Sequence, residues 1–313
     1  MKILFAGTPE FAVEPLKALI ETGKVIGVIT QEDKLQGRKK ILTPSPVKSY
    51  ALSCGLPVFQ PKKIREEVAE LQNFGADMLI TCAYGQILTQ EVLNCFPCGV
   101  WNIHAGLLPA YRGASPVQSC LLNGETETGV CVMQTVLALD AGDILLCEKT
   151  KIGADETAGE LSARLSLIAA ELVKKAVPLL ESGAYPLTPQ SEAEAQIYRK
   201  ITREQAKLDF SFAAERIKNK VRAMNPEPVA YALFNGAPVN FYRVQALAED
   251  ELTAEEKSAK AGEIISDKPK TGLIVRCGTG AVKALSVQPS GGKIMSGSDF
   301  LSGRKGCKGQ VFE

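Results

Sequence analysis

The sequence predicts an α/β chain: a doubly wound, mostly parallel sheet over residues 1–189, a polar linker over 190–207 and a small β-barrel over 208–313. Three observations carry this. The first half alternates short apolar runs with longer segments of helical period, as in a parallel sheet whose strands are buried on both faces. A polar stretch with neither period, 187–207, follows Pro186. Beyond it, short apolar runs are punctuated by Asn-Gly, Lys-Pro and Gly-Thr-Gly turn signals, the pattern of a small barrel. A length of 313 residues suits two domains.

The apolar run 2–6 opens as a buried strand. Thr8 is expected as a helix N-cap with Pro9 at the first helical position. The helix over 9–21 sets Phe11, Leu16, Leu19 and Ile20 near one face and stops at Gly23. A strand at 25–30 completes a βαβ start. It has one glycine where the dinucleotide fingerprint needs three, which disfavours a nicotinamide dehydrogenase. Residues 31–46 read as a long aperiodic loop carrying Lys34, Gly37, Arg38, Lys39 and Lys40. A solvated surface and a phosphate-contacting role fit it equally. Strands are expected at 57–60, 77–82, 99–103, 129–136 and 144–149, and helices at 64–74, 89–94, 115–122 and 156–180.

In the second half, 209–224 fits an amphipathic helix with Arg216, Lys218, Lys220 and Arg222 toward solvent. Strands fit 230–234, 239–244, 262–265, 272–277 and 282–288, with 249–256 as a solvated acidic turn. Tyr231, Phe234, Phe241 and Tyr242 are read as core in preference to base-stacking residues.

Composition is that of an ordinary globular protein, with 45% hydrophobic and 23% charged residues. Neither a secretory h-region nor a membrane-spanning run is expected. Nine cysteines, odd in number and mostly inside apolar runs (Cys82, Cys120, Cys131, Cys147), suit reduced thiols in a cytoplasmic protein. Cys95-Phe-Pro-Cys98 has redox or metal spacing but no second pair, so it reads as incidental. The formal charge is −3 over 1–189 and +4 over 190–313, which would direct a polyanionic partner to the C-terminal part.

The chemistry gathers at the end of the 99–103 strand. Asn102 and His104 stand two residues apart, so alternation puts both side chains on one face. His104 is the only histidine in the chain. An amide and an imidazole can donate to an oxyanion, and a carboxylate can orient the imidazole. Asp140, in a turn between two expected strands, is the candidate carboxylate, with Asp143 read as structural. No Gly-x-Ser-x-Gly elbow and no second histidine supply a nucleophile, so the set fits direct attack by a substrate nucleophile better than a covalent enzyme intermediate. Taken alone, an Asn-x-His pair is more often structural.

The words around the pair overturn that default. Asn102-Ile-His-Ala-Gly-Leu-Leu-Pro-Ala-Tyr-Arg-Gly113 resembles the Asn-x-His-x-Ser-Leu-Leu-Pro signature of the folate-dependent formyltransferases. Leu139-Asp140-Ala-Gly-Asp143 is similar to the segment that supplies that family's catalytic aspartate, and Ala83-Tyr-Gly-Gln-Ile-Leu88 to its pterin-side loop. Phe5-Ala-Gly-Thr-Pro-Glu-Phe11, Gly37-Arg-Lys-Lys40, Ile197-Tyr-Arg-Lys-Ile-Thr-Arg-Glu204, Arg222-Ala-Met-Asn-Pro-Glu-Pro228 and Met295-Ser-Gly-Ser-Asp-Phe-Leu301 resemble its tRNA-formylating branch.

The resemblance implies a Rossmann-like formyltransferase domain followed by an OB-like barrel that binds tRNA. The implied reaction moves a formyl group from 10-formyltetrahydrofolate to the methionine amine of initiator tRNA. Asn102, His104 and Asp140 would be catalytic. Gln86, Leu88, Gly106, Leu107, Leu108 and Pro109 would contact folate, and Arg38, Lys39 and Lys40 would contact tRNA. No metal and no membrane are implied, and a monomer is expected. An amino-sugar nucleotide or a purine precursor is the alternative acceptor. Two departures stand out: Gly106 occupies the place of the family's Ser, and the basic loop reads Gly-Arg-Lys-Lys-Ile where the family has Gly-Arg-Gly-Lys-Lys.

Overall fold

Seven strands of the first half assemble into one sheet because their apolar runs can be covered on both faces. In chain order they are β1 (Ile3–Gly7), β2 (Val25–Ile29), β3 (Val58–Phe59), β4 (Met78–Cys82), β5 (Val100–His104), β6 (Glu127–Gln134) and β7 (Ile144–Lys151). The computed structural model describes every residue except Arg38, Asp267, Pro269, Gly303 and Lys305, together with the side chain of Gln36. The sheet order is 7-6-5-4-1-2-3. Strands 3, 2, 1, 4 and 5 run parallel, whereas β6 and β7 add on antiparallel beside β5. β1 and β4 are buried along their whole length, as an interior parallel strand requires.

The chain divides into two compact units. One comprises Met1–Pro116, Glu127–Lys151 and Leu161–Tyr198; the other comprises Val117–Thr126, Ile152–Glu160 and Arg199–Glu313. Among the described residues, no helix is long and apolar enough to cross a membrane.

Several local expectations are corrected. Thr8 is not an N-cap: its hydroxyl donates to the Tyr84 carbonyl at 3.0 Å. The first helix instead begins as a 3-10 turn, Glu10–Ala12, and becomes α-helical at Val13–Ile20. The 31–46 loop contains an antiparallel hairpin, Lys34–Gln36 with Ile41–Thr43. The helix expected at 64–74 breaks at Glu67 into a 3-10 turn and a short α-helix, Val68–Asn73. The cysteines are not all reduced thiols. Cys131 and Cys147 face each other across β6 and β7, with Cα atoms 4.2 Å apart and their sulfurs bonded. Register decides this, because antiparallel pairing sets the two residues directly opposite.

The second unit is a curled antiparallel sheet. Its strands are β8 (Ala230–Phe234), β9 (Ala237–Leu247), β10 (Ile264–Ser266), β11 (Leu273–Arg276), β12 (Ala281–Pro289) and β13 (Met295–Ser296). The order is 8-9-12-11-10, with β13 on β12. The C-terminal residues connect its two edges. Leu233 of β8 exchanges two main-chain bonds with Glu313, at 2.7 and 2.8 Å, while Ile264 of β10 donates to Gln310 at 2.8 Å. Both edges are thereby covered, which removes the unpaired donors and acceptors an open sheet would expose. Phe312 lies inside this closure, its ring against those of Phe210, Phe234, Phe241 and Phe300. Phe234 and Phe241 are core as expected, whereas Tyr231 is half-buried under the Arg203 guanidinium, 4.2 Å from its ring centroid.

A helix of this unit, Ala214–Ala223, buries Ile217 and Val221 against the sheet. Arg222, expected toward solvent, is buried and donates to Asn219 Oδ1 at 2.8 Å and to the Gly153 carbonyl at 3.1 Å. Glu249 of the acidic stretch takes a bidentate bond from buried Arg276, both contacts 3.0 Å. Because Phe312 joins the aromatic core to the closing strand, Phe312→Ala should destabilise the protein by about 3–5 kcal/mol. A lowered urea midpoint for the C-terminal transition checks this.

Candidate active site

The site is built on β5. Its neighbours are set by register: Thr81 of β4 and Met133 of β6 lie opposite Asn102, and Cys131 of β6 lies opposite His104. The Thr81 hydroxyl donates to Asn102 Oδ1 at 2.8 Å. Using the amide's oxygen in this way turns its Nδ2 donor the other way.

His104 is 5% exposed. Its Nε2 lies 2.5 Å from the Tyr111 carbonyl, an acceptor, so Nε2 carries the proton of that bond. Nδ1 faces Asp140 Oδ2 at 3.8 Å, an ion-pair separation rather than a hydrogen bond. The tie between His104 and Asp140 comes from the turn joining β6 to β7, which returns the carboxylate to β5. Asp140 Oδ2 also accepts the Gly113 main-chain N–H at 2.7 Å. Gly113 is needed there: its φ is +105°, and a Cβ would lie 2.3 Å from the Tyr198 carbonyl oxygen.

The remaining predicted residues fall around this centre unevenly. Gly106 is adjacent to it. A Cβ there would sit 3.2 Å from His104 Nε2, 3.1 Å from Tyr111 Cβ and 2.9 Å from Pro116 Cβ. The departure from Ser is thus matched to a crowded neighbourhood. Leu107, Leu108 and Pro109 continue the loop half-buried. Gln86 is committed elsewhere: its Oε1 accepts from the Ile64 N–H at 2.8 Å and its Nε2 donates to the Pro61 carbonyl at 3.0 Å. Leu88 is half-buried and packs on the core cluster that includes Tyr84 and Val92. Ile87, by contrast, is 81% exposed, and Leu137 and Leu139 in the Asp140 turn are 63% and 55% exposed.

Lys39 and Lys40 are exposed in the turn of the 34–43 hairpin, Lys40 with φ of +47°. Arg38 lies outside the described residues. That hairpin also exposes Leu35, Ile41 and Leu42.

The residues that sequence reasoning missed are the ones that hold the centre in place. Thr81, the Tyr111 carbonyl, Arg112 and Gln190 touch Asn102, His104 or the Asp140 turn, directly or through one another. Arg112 and Tyr111 lie inside the 102–113 motif and were legible as part of it. Gln190 sits in a polar stretch with no period to mark it.

The crowding at Gly106 has a measurable consequence. Gly106→Ala should cost about 1–3 kcal/mol by overpacking. It should also displace the His104 ring, which denaturant unfolding and a structure of the variant would reveal.

Residues 1–177 match the formyl transferase family model, and residues 200–305 match the model of the formyl transferase C-terminal domain. The chain is 40% identical over 308 residues to the methionyl-tRNA formyltransferase of Xanthomonas oryzae pv. oryzae, covering 97% of this chain and 98% of that one. It is also 40% identical to the methionyl-tRNA formyltransferase of Carboxydothermus hydrogenoformans over the full length of both. Its fold resembles the N-formyltransferase from Helicobacter canadensis solved with folinic acid and dTDP-3-aminofucose. That match has a TM-score of 0.67 at 18% identity and covers 91% of this chain and 99% of that one. With both family domains matched in order along its length and 40% identity to full-length relatives, this chain belongs to the formyl transferase family.

Proposed function

We propose that this enzyme transfers a formyl group from 10-formyltetrahydrofolate to the free amino group of methionyl initiator tRNA. The observation that carries the reading is the Asn102–His104–Asp140 set on a chain 40% identical, end to end, to methionyl-tRNA formyltransferases. The acceptor amine attacks the formyl carbon, being substantially neutral near pH 8 with an ordinary α-amino pKa of about 7.7–8.0. Negative charge then develops on the formyl oxygen. Asn102 Nδ2, oriented by Thr81, donates to that oxygen. His104, with Nε2 anchored on Tyr111, contributes its ring beside the same position. Asp140, 3.8 Å from Nδ1, holds the ring by charge when both ring nitrogens carry a proton, and takes part in moving the amine proton to the folate nitrogen, which leaves as its bond to the formyl carbon breaks.

Gly106, Leu107, Leu108 and Pro109 are assigned to the folate site, joined by the exposed side chains of Ile87, Leu137 and Leu139, which suit an aromatic ring system. Gln86 and Leu88 contribute through their main chain and loop shape, since their side chains are already used. The first compact unit is the catalytic domain and the second, with Arg199–Glu313 as its main segment, the tRNA-binding one. Residues 117–126 and 152–160, expected in the catalytic domain, fall with the second unit, and the expected linker over 190–207 is shared between the two. In the second unit, a curled antiparallel sheet with both edges covered favours an OB-like barrel. The chemistry needs no metal, and a cytoplasmic monomer accords with a translation enzyme.

Asn102→Ala should lower turnover by about 10²–10³ while leaving tRNA affinity unchanged. The decisive assay offers charged initiator tRNA, an amino-sugar nucleotide and a purine-precursor amine side by side. Transfer to either small amine in preference to tRNA would displace this reading. The ring-nitrogen NMR signals of the sole imidazole should also move in Asp140→Asn.

Replacing Arg38, Lys39 and Lys40 with Gln should weaken tRNA binding and flatten the plot of log affinity against log salt. The slope should fall by roughly 0.7–0.9 for each phosphate no longer neutralised. An unaltered slope assigns the hairpin tip to solvent.

A further inference from the structure

The turn that carries Asp140 is held from outside its own strands. Asp140 has φ of +49°, a left-handed conformation that needs support from its surroundings. Its main-chain oxygen accepts from Gln190 Nε2 at 2.9 Å, and the same nitrogen reaches the Gly142 carbonyl at 2.6 Å. A primary amide has two N–H bonds, so one side chain serves both carbonyls of the turn. Gln190 Oε1 accepts from Arg112 Nε at 3.0 Å, which decides which end of the amide faces the turn. Arg112 is 3% exposed, and its other two nitrogens form a bidentate pair with Glu192 at 3.1 and 2.8 Å. The Arg112 guanidinium in turn holds the Glu192 carboxyl below the usual range.

The next residue along, Gly113, donates its N–H to the Asp140 carboxylate. Backbone and side chain of Asp140 are therefore both referred to residues 112–113. The segment bearing Gln190 is itself tied down. Thr188 exchanges two main-chain bonds with Ile144, each 2.9 Å, and Ile197–Tyr198 pairs in parallel with Arg112–Gly113.

We infer that Gln190 is a positioning residue for formyl transfer, with Arg112 and Glu192 holding its amide. The inference rests on the reading of Asp140 as catalytic. Gln190 does not reach the reacting atoms; it sets where the Asp140 carboxylate stands relative to His104 Nδ1. Loss of such placement lowers the rate of the chemical step and leaves the binding of either substrate alone.

The test is steady-state formylation of charged initiator tRNA by Gln190→Ala, Gln190→Glu, Glu192→Gln, Asp140→Asn and the Gln190→Ala/Asp140→Asn double variant. Gln190→Glu keeps an acceptor for Arg112 but has no donor for the two carbonyls. Both Gln190 variants should lose about ten- to a hundredfold in kcat, with both KM values unchanged. The double variant should be no slower than Asp140→Asn alone, because residues acting through one group are not additive. Glu192→Gln, at an exposed side chain, should fold normally and lower kcat by a smaller factor in the same direction. If Gln190→Ala does not fold, this variant decides, and an unchanged kcat in it overturns the inference. Wild-type kcat in Gln190→Ala beside a slow Asp140→Asn overturns the inference alone, as does a double variant slowed by the product of the two single effects. Wild-type turnover in Asp140→Asn overturns the catalytic reading of Asp140, and the inference with it.

Discussion

Strand β5 is bonded on both edges, to β4 in parallel and to β6 in antiparallel, and the candidate site depends on that double pairing. A slip of one residue along either edge would turn Asn102 and His104 to the opposite face of the sheet. With both edges engaged, neither slip is open to it. The same pairing selects the neighbours of the site, setting Thr81 and Met133 opposite Asn102. The change of direction at β6 matters as much. A parallel crossover needs a dozen or more residues, whereas antiparallel β6 and β7 can be joined by a short turn. That turn is what carries Asp140 back to within 3.8 Å of His104.

Buried cations impose the next constraint, since a guanidinium leaves water only where acceptors replace it. Arg112 and Arg276 solve this with a bidentate glutamate each, Glu192 and Glu249. In both pairs the arginine is buried and the carboxylate keeps contact with solvent, so only one partner bears most of the desolvation cost. Arg222 is met differently, by the neutral oxygens of Asn219 and Gly153, and its burial lowers its pKa from the ordinary arginine value. These arginines are interior fasteners, buried where Lys34, Lys39 and Lys40 of the 34–43 hairpin are exposed.

Much of the fold was readable because buried parallel strands are continuous apolar runs. The runs at 2–6, 25–30, 77–82 and 99–103 all became strands within a residue or two. The 31–46 segment defied that logic. Its hairpin turns Leu35, Ile41 and Leu42 outward, so no buried face imposes a period on the sequence. Thr8 departs from the expected cap for a related reason. A hydroxyl before a helix can cap it or bond elsewhere, and the Tyr84 carbonyl brought up by β4 took the bond. Arg222 carries the charge expected of a solvent face, yet main-chain acceptors brought to it by folding made burial possible.

The sequence by itself determined the alternation of strands and helices, the solitary imidazole, the Asn102–His104 spacing and the family words around it. All of these are properties of neighbouring residues. Tertiary structure decided what depends on residues far apart. It paired Cys131 with Cys147, committed Gln86 to the 61–64 loop, brought Asp140 against Gly113 and recruited Gln190 from the polar stretch to the carbonyls of that turn. A contact across tens of residues leaves no period and no local pattern, because its partners become neighbours only once the sheet and the segments packed on it have formed.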